Sequence, residues 1–151
     1  SNIINEDADI AILEVGSEFD FNKIKKYDIS KVGLMVQDAY TFAGFPNYSS
    51  GTHTVMSGSI AAKIPGNSDA VGDLKYDHYK LDKDVIGGAS GAPLFNGKQQ
   101  VCGIITRGLT NGGGKGETDS NLAVDICYFK EYVENGAQHP RAASELAMPK
   151  V

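Results

Sequence analysis

Turn-forming residues interrupt this sequence every eight to twelve residues, and the segments between them are short and apolar. Glycine is frequent, with 18 among 151 residues, which suits many tight turns. Strands are therefore predicted at 8–15, 39–45, 54–62, 74–81, 99–106 and 121–126. Residues 128–135 have helical spacing and end at Gly136, which predicts one C-terminal helix. This pattern favours an all-β antiparallel barrel over a sheet that alternates with helices.

Charge and composition exclude several kinds of partner. The formal net charge of −5 argues against nucleic acid or an anionic membrane surface, because both attract a basic face. No apolar run approaches the roughly 20 residues that span a bilayer. No group of ligating residues has the spacing of a metal site, so no metal and no other cofactor is predicted. Cys102 and Cys127 fall near the ends of two predicted strands, and both a disulfide and two free thiols remain open.

The run Gly-Gly-Ala-Ser-Gly-Ala-Pro-Leu at 87–94 could place one serine in an unusual setting. Its glycines permit backbone angles closed to other residues, so the chain can turn sharply and present the Ser90 hydroxyl. The amides of Gly88 and Ser90 could then point the same way. Two converging amides beside a serine hydroxyl would stabilise the oxyanion that forms in acyl transfer. A glycine-rich hairpin loop explains the same run equally well.

Three segments resemble chymotrypsin-like (trypsin-fold) serine peptidases. The run at 87–94, followed by Gly-Ile-Ile at 103–105, resembles their nucleophile segment, and Asp-Ile-Ala-Ile-Leu at 9–13 resembles the run that carries their catalytic aspartate. Gly-Phe-Pro at 44–46, taken with Gly-Gly-Ala-Ser, resembles the bacterial glutamyl-endopeptidase branch. Together the matches cover about residues 7–133.

This resemblance implies a chymotrypsin-like double antiparallel β-barrel and a serine peptidase activity. Residues 1–38 would form part of the first barrel and the connection between barrels, 39–136 the complete second barrel with its C-terminal helix, and 137–151 a tail. It also implies a secreted or extracytoplasmic location and protein or peptide substrates.

The resemblance assigns roles to three positions. Ser90 would be the nucleophile, Asp9 the carboxylate that orients the base, and Gly88 would supply an oxyanion-hole amide together with Ser90. Asp7, two residues earlier, competes with Asp9, but the apolar run that follows Asp9 fits the family better.

The catalytic histidine of this family lies some tens of residues before the aspartate, whereas eight residues precede Asp9 here. His53, His78 and His139 all follow it, and we predict that they are ordinary surface or strand residues. A missing N-terminal segment or a second chain is therefore expected to supply the histidine. Loss of the base from such a triad costs on the order of 10⁶ in turnover, so this chain alone is expected to be nearly inactive.

The residue six positions before the nucleophile lies at the base of the primary specificity pocket in trypsin-like members, and here it is Asp84. A carboxylate there would pair with lysine or arginine of the substrate. A solvated surface charge explains Asp84 about as well. Glutamate preference is not expected, because that branch uses a threonine and a histidine where this chain has Val85 and Ile105.

The other pocket positions depart from the family pattern. Thr106, Arg107 and Gly108 would form the strand that pairs with the substrate backbone, with arginine in place of the usual aromatic residue. Asn121 stands where trypsin has a pocket-lining glycine, which predicts a narrower pocket. Ala89 replaces the aspartate that receives a new N-terminus in members activated by cleavage, so that route is not expected.

The predicted function is hydrolysis of peptide bonds through an acyl-enzyme on Ser90, with cleavage after lysine or arginine. The alternative is an inactive homologue that uses the same barrel as a protein-binding module. The joint presence of Ser90, Asp9 and Gly88 favours the enzyme. A lipase-type hydrolase is disfavoured, because its serine lies on a strand-to-helix elbow and no helix is predicted after Ser90.

Overall fold

The structure, a computed structural model, describes residues 3–5, 10–45, 53–66, 76–85, 88–106, 109–110, 118–119 and 121–127. Ten strands lie within these residues. In chain order they are β1 Ile3–Asn5, β2 Ile10–Ile12, β3 Ala39–Gly44, β4 Thr54–Ile64, β5 His78–Leu81, β6 Pro93–Phe95, β7 Val101–Ile105, β8 Leu109–Thr110, β9 Thr118–Asp119 and β10 Leu122–Asp125.

Six of the strands close into an antiparallel barrel in the order β10, β5, β4, β3, β6, β7. The closing pair is β7 with β10, where Ile105 lies opposite Ala123. Alternate residues of β3 face inward, among them the buried Tyr40 and Phe42, while all four residues of β10 are buried. The closed barrel confirms the all-β antiparallel fold that the strand and turn pattern predicts.

Strand β4 extends beyond its predicted end at 62 because a bulge lets it pair with two partners. Its first part pairs with β3, and its last part pairs with β5 after a register shift between Ile60 and Ala62. Such an extra residue bends a strand and increases its twist, as barrel closure requires.

The segment before the barrel contains little regular structure. Strands β1 and β2 form a separate two-stranded sheet, and β2 is shorter than the predicted 8–15. Residues 19–38, which belong to the predicted connection between barrels, contain one 3₁₀ turn, Phe21–Lys23, capped by the Asp20 side chain. Ser30 and Val101 join the end of this segment to the barrel through a backbone hydrogen bond of 2.8 Å.

Large apolar side chains are exposed along this segment, in contrast to the barrel interior. Those between residues 13 and 36 are Leu13, Val15, Phe19, Phe21, Ile24, Tyr27, Val32, Met35 and Val36. A cluster of this kind on a protein surface is typical of a face that another part of an assembly covers.

The predicted C-terminal helix at 128–135 and the tail at 137–151 lie outside the described residues. In the part of the chain that is described, no helix is long and apolar enough to cross a membrane. Both cysteines are free, and the Cys127 thiol lies 3.6 Å from the Cys102 carbonyl oxygen as a weak hydrogen-bond donor.

Candidate active site

The loop at 88–91 turns on two glycines with left-handed backbone angles. Gly88 has φ of 103° and Gly91 has φ of 85°. The Ala92 amide donates to the Ala89 carbonyl over 3.0 Å, so residues 89–92 form a β-turn with Ser90 and Gly91 at its centre. A positive φ at the third position is what a type II turn requires, which explains glycine at 91.

The turn is fixed to the barrel on both sides of Ser90. Ala89 is buried, and Gly91 donates to the Ile105 carbonyl over 2.8 Å. Ile105 in turn donates to Ala92 over 2.9 Å. The end of β7 therefore holds the turn, and Ser90 itself is exposed at its outer side.

The end of β3 supports the same loop, which the sequence analysis did not foresee. A Cβ atom on Gly44 would lie 3.1 Å from the Ala89 Cα atom, so the two backbones are in close contact. The Phe45 amide donates to the Gly88 carbonyl over 3.3 Å. The Gly-Phe-Pro run at 44–46 belongs to the family resemblance. A glycine at the end of an aromatic-rich strand is the sequence signal for a close backbone contact of this kind.

Two amides in the loop are left without acceptors among the described residues. Neither Gly88 nor Ser90 donates a backbone hydrogen bond to any residue that the structure describes. Within the described part of the chain, both amides are therefore free to bind an acceptor on a ligand.

The two described histidines make their contacts with residues other than Ser90. His53 is exposed and packs against the Phe45 ring, with ring centroids 5.6 Å apart. His78 is buried in β5, and its Nδ1 lies 2.7 Å from the Tyr76 carbonyl. Asp9, Asp7 and His139 lie outside the described residues. The role of Asp9 as the triad carboxylate therefore remains a prediction.

The predicted pocket residues occupy the chain on either side of the loop. Asp84 is exposed, and Val85 is half-buried against the barrel core. Thr106 donates its amide to the Leu122 carbonyl over 3.2 Å. Arg107 and Gly108 lie outside the described residues.

Asn121 pairs with the end of β5. Leu81 donates its amide to the Asn121 carbonyl over 2.8 Å, and the Asn121 Nδ2 donates back to the Leu81 carbonyl over 2.9 Å. The Oδ1 atom of the same side chain is buried and has no hydrogen-bond partner among the described residues. No cluster of three or more potential metal ligands occurs among the described residues.

The described residues thus form a closed antiparallel barrel that presents an exposed serine on a glycine turn, beside two amides that have no acceptor among those residues. Residues 2–104 match the family described as "Trypsin-like peptidase domain", and the chain belongs to this family. Among curated proteins, none matches the sequence.

Solved structures share this fold at low sequence identity. The protease Rv3671c from M. tuberculosis H37Rv, in an inactive Ser343Ala form, is 19% identical with a TM-score of 0.52, over 77% of this chain and 56% of that one. The HtrA-type protease AlgW, solved with a tripeptide, is 20% identical with a TM-score of 0.57, over 82% of this chain and 39% of that one.

The chain thus spans about half of the length of the first of these structures and about two fifths of the second. At such identities the likeness shows the fold. It agrees with a chymotrypsin-like barrel, whereas the narrower resemblance to the glutamyl-endopeptidase branch is not confirmed and stays a prediction.

Proposed function

We propose that this protein acts as a serine endopeptidase with Ser90 as its nucleophile. The observation that carries the proposal is the loop at 88–91, in which an exposed serine lies beside the Gly88 and Ser90 amides that have no acceptor in the described residues. Membership of the trypsin-like peptidase domain family supports the same activity.

The reaction would proceed in two acyl transfers. The Ser90 Oγ atom attacks the peptide carbonyl carbon while a base takes its proton, and the carbonyl oxygen becomes an anion held by the two amides. The base then returns the proton to the amine as the C–N bond breaks. Water hydrolyses the resulting ester by the same route and restores the Ser90 hydroxyl.

The base would come from a segment or a second chain outside these 151 residues. Asp9 would orient it, since Asp9 directly precedes β2, whose first residue, Ile10, is buried. The exposed apolar side chains between residues 13 and 36 support this part of the proposal, because a covering segment would bury them.

Cleavage after lysine or arginine is proposed through Asp84. Its exposed carboxylate belongs to the segment that leads from β5 to the Ser90 loop, and it would pair with a cationic side chain of the substrate. We expect Asp84→Asn to lower kcat/KM for a lysine peptide. The same variant should not cause a similar loss for a norleucine peptide. Equal losses for both peptides would contradict the specificity.

The test of the activity is labelling with a fluorophosphonate probe, which forms an ester with an activated serine. The protein is purified from its natural source with any associated chain, and the adduct is mapped by mass spectrometry. We expect the label on Ser90 and none in Ser90→Ala. Ser57→Ala removes another exposed serine of the barrel, and it should label like the unchanged protein.

A folded sample that takes no label would contradict the peptidase and favour the second function, a protein-binding module built on the same barrel. Circular dichroism and a cooperative thermal transition establish that both variants are folded. Absence of label then cannot be explained by unfolding.

A further inference from the structure

An open cleft lies between the segment that enters the barrel and the turn that joins β6 to β7. Its volume is about 570 Å³, within the range of roughly 300–1,000 Å³ that is usual for ligand sites. Residues 30–34, 38–39, 96–98 and 100 line it, and no residue of the loop at 88–91 is among them. The cleft is therefore separate from the candidate active site.

The side-chain amides in the wall of the cleft have one orientation. The Asn96 Oδ1 atom accepts from the Lys98 amide and from the Gln100 amide, each over 2.9 Å, so this atom must be the oxygen. The Asn96 Nδ2 atom then donates to the Gln100 Oε1 atom over 3.1 Å. Turning either side-chain amide over would bring like groups together. The Gln100 Nε2 atom consequently remains a donor, and no described residue accepts from it.

Two lysines add positive charge to the same cleft, one from each of the two segments that form it. Lys31 and Lys98 are exposed, and neither ammonium forms an ion pair with a described residue. The one acid among the lining residues, Asp38, accepts from the Met35 amide over 2.8 Å. Two lysines and one aspartate give the lining a net charge of +1, on a chain whose formal net charge is −5.

Positive charge continues outside the cleft, and an apolar surface adjoins it. The Lys25 Nζ atom lies 3.4 Å from the Gln99 side-chain oxygen, in the turn that carries Lys98. Val32 lines the cleft and is 73% exposed, and the neighbouring Ala39 is exposed as well. A ligand that complements these groups combines carboxylates with an apolar side chain.

We propose that this cleft binds an acidic peptide, whose carboxylates pair with Lys31 and Lys98 and accept from the Gln100 Nε2 atom. An apolar side chain of the peptide would cover Val32. The cations belong to two separate segments, which suits the separated carboxylates of a peptide, whereas a compact anion is typically held by a nest of adjacent backbone amides. The negative net charge of the chain disfavours nucleic acid. This site does not depend on the proposed peptidase activity.

The experiment measures binding to the Ser90→Ala protein, prepared with any associated chain, so that the proposed cleavage cannot consume the probe. The probe is an acetylated and amidated pentapeptide that alternates glutamate with leucine, and its matched control has glutamine at each glutamate position. Calorimetric titration at low ionic strength should show roughly tenfold tighter binding of the glutamate peptide, as two partly exposed ion pairs would give. Raising the salt concentration to about 1 M should remove most of this preference, because the Debye length falls to about 3 Å.

Lys31→Gln combined with Lys98→Gln should bring the two peptides to equal affinity. Lys83→Gln is the matched control, because the Lys83 ammonium donates to the Ser57 carbonyl over 2.6 Å and does not line the cleft. This control should keep the preference for glutamate. Circular dichroism checks that the variants are folded. If the double variant does not fold, the comparison of the two peptides at low and high salt on the unchanged cleft decides alone.

Equal affinity for the glutamate and glutamine peptides, or no binding of either, would overturn the proposal. A loss of preference in Lys83→Gln as large as in the double variant would also overturn it, because the preference would then reflect total charge. A short oligonucleotide that displaces the glutamate peptide and binds more tightly would assign the cleft to nucleic acid and contradict the peptide.

Fluorophosphonate labelling of the protein with Ser90 intact keeps this proposal distinct from the peptidase. Labelling without a preference for the glutamate peptide would overturn the acidic-peptide site and leave the peptidase standing. Preference for the glutamate peptide without labelling would contradict the peptidase and support the cleft as a peptide-binding site.

Discussion

The two ends of β5 differ in whether their polar groups have hydrogen-bond partners. At the His78 end, which we call the closed end, the Tyr79 hydroxyl accepts from the Leu34 amide over 3.1 Å and lies near the Asp125 carboxylate. Asp125 accepts from the Cys127 amide over 2.9 Å and lies 3.9 Å from the Lys63 ammonium. Burial and the charge of Asp125 raise the pKa of Tyr79, which keeps its hydroxyl protonated.

At the Leu81 end, which we call the open end, three polar groups lack partners within the described chain. Asn121 keeps a buried oxygen without a donor, and the Gly88 and Ser90 amides have no backbone acceptor there. The two ends belong to one barrel and are separated by the length of a four-residue strand.

This difference indicates which end of the barrel contributes to the free energy of unfolding and which end does not. Partnered groups at the closed end hold the connecting segment against the barrel. At the open end, the buried Asn121 oxygen without a donor lowers stability. Substitutions at the closed end should therefore change unfolding, and substitutions at the open end should change labelling.

Removing the carboxylate of the closed end should have the largest effect on stability. Asp125→Ala would leave the Cys127 amide without its acceptor and the Lys63 ammonium without its partner carboxylate. Loss of one member of a buried charged network costs about 3 kcal/mol, near the lower end of the usual range because Lys63 reaches solvent. Chemical denaturation measures the free energy of unfolding, and labelling of Ser90 should be unchanged while the protein is folded.

Glu18→Ala serves as the control, since Glu18 is exposed and its loss should change the free energy of unfolding by less than about 0.5 kcal/mol. If Asp125→Ala resembled this control, the closed end would not carry the stability assigned to it.

Two glycines allow the comparison to be made with the same chemical change. A Cβ atom on Gly33 would lie 2.7 Å from the Tyr79 hydroxyl oxygen, whereas one on Gly44 would lie 3.1 Å from the Ala89 Cα atom. We expect Gly33→Ala to cost about 1–3 kcal/mol of unfolding free energy with little change in labelling. Gly44→Ala should slow labelling roughly 100-fold, because it displaces the loop that presents Ser90.

Gly97→Ala is the matched control for both variants, because no atom lies within 4 Å of the position of its added Cβ. Thermal unfolding and the rate of fluorophosphonate labelling are measured on all three variants. Equal effects of Gly33→Ala and Gly44→Ala on both quantities would erase the distinction between the two ends.

The sequence predicts the barrel and the serine loop because both depend on local patterns. Alternation of buried residues in β3 follows from residues such as Tyr40 and Phe42, and glycine at 91 follows from a turn that needs positive φ. These signals lie within a few neighbouring residues, so spacing and composition reveal them.

Contacts between distant segments leave no such local pattern. Gly44 and Ala89 are 45 positions apart in sequence, and although the glycine signals a close backbone contact, nothing near it identifies Ala89 as the partner. The sequence placed Asn121 in a pocket by family resemblance, but its unpartnered oxygen depends on the position of the Leu81 carbonyl. The bulge that lengthens β4 likewise depends on which strand lies beside it.

The smallest expected effect is the pH dependence contributed by His78 at the closed end. Its Nδ1 lies 2.7 Å from the Tyr76 carbonyl and must carry a proton as the donor, and burial lowers the pKa of the imidazole against the opposing charges of Asp77 and Asp125. The unfolded chain, whose histidine has a pKa of about 6.5, therefore takes up a proton before the folded chain does. Because the unfolded state then binds more protons, this contribution to stability is complete above about pH 6.5 and is lost as the pH falls below it.

His78→Asn keeps a donor for the Tyr76 carbonyl and removes the group that titrates. Denaturation at pH 7 and at pH 5 should show a larger fall in unfolding free energy for the unchanged protein than for the variant. Ser90 labelling at pH 7 should be equal in the two, since His78 lies at the opposite end of β5 from Leu81 and Asn121. Parallel pH profiles would mean that His78 is already charged or hydrated in the folded barrel, and the closed end would then be less enclosed than its contacts indicate.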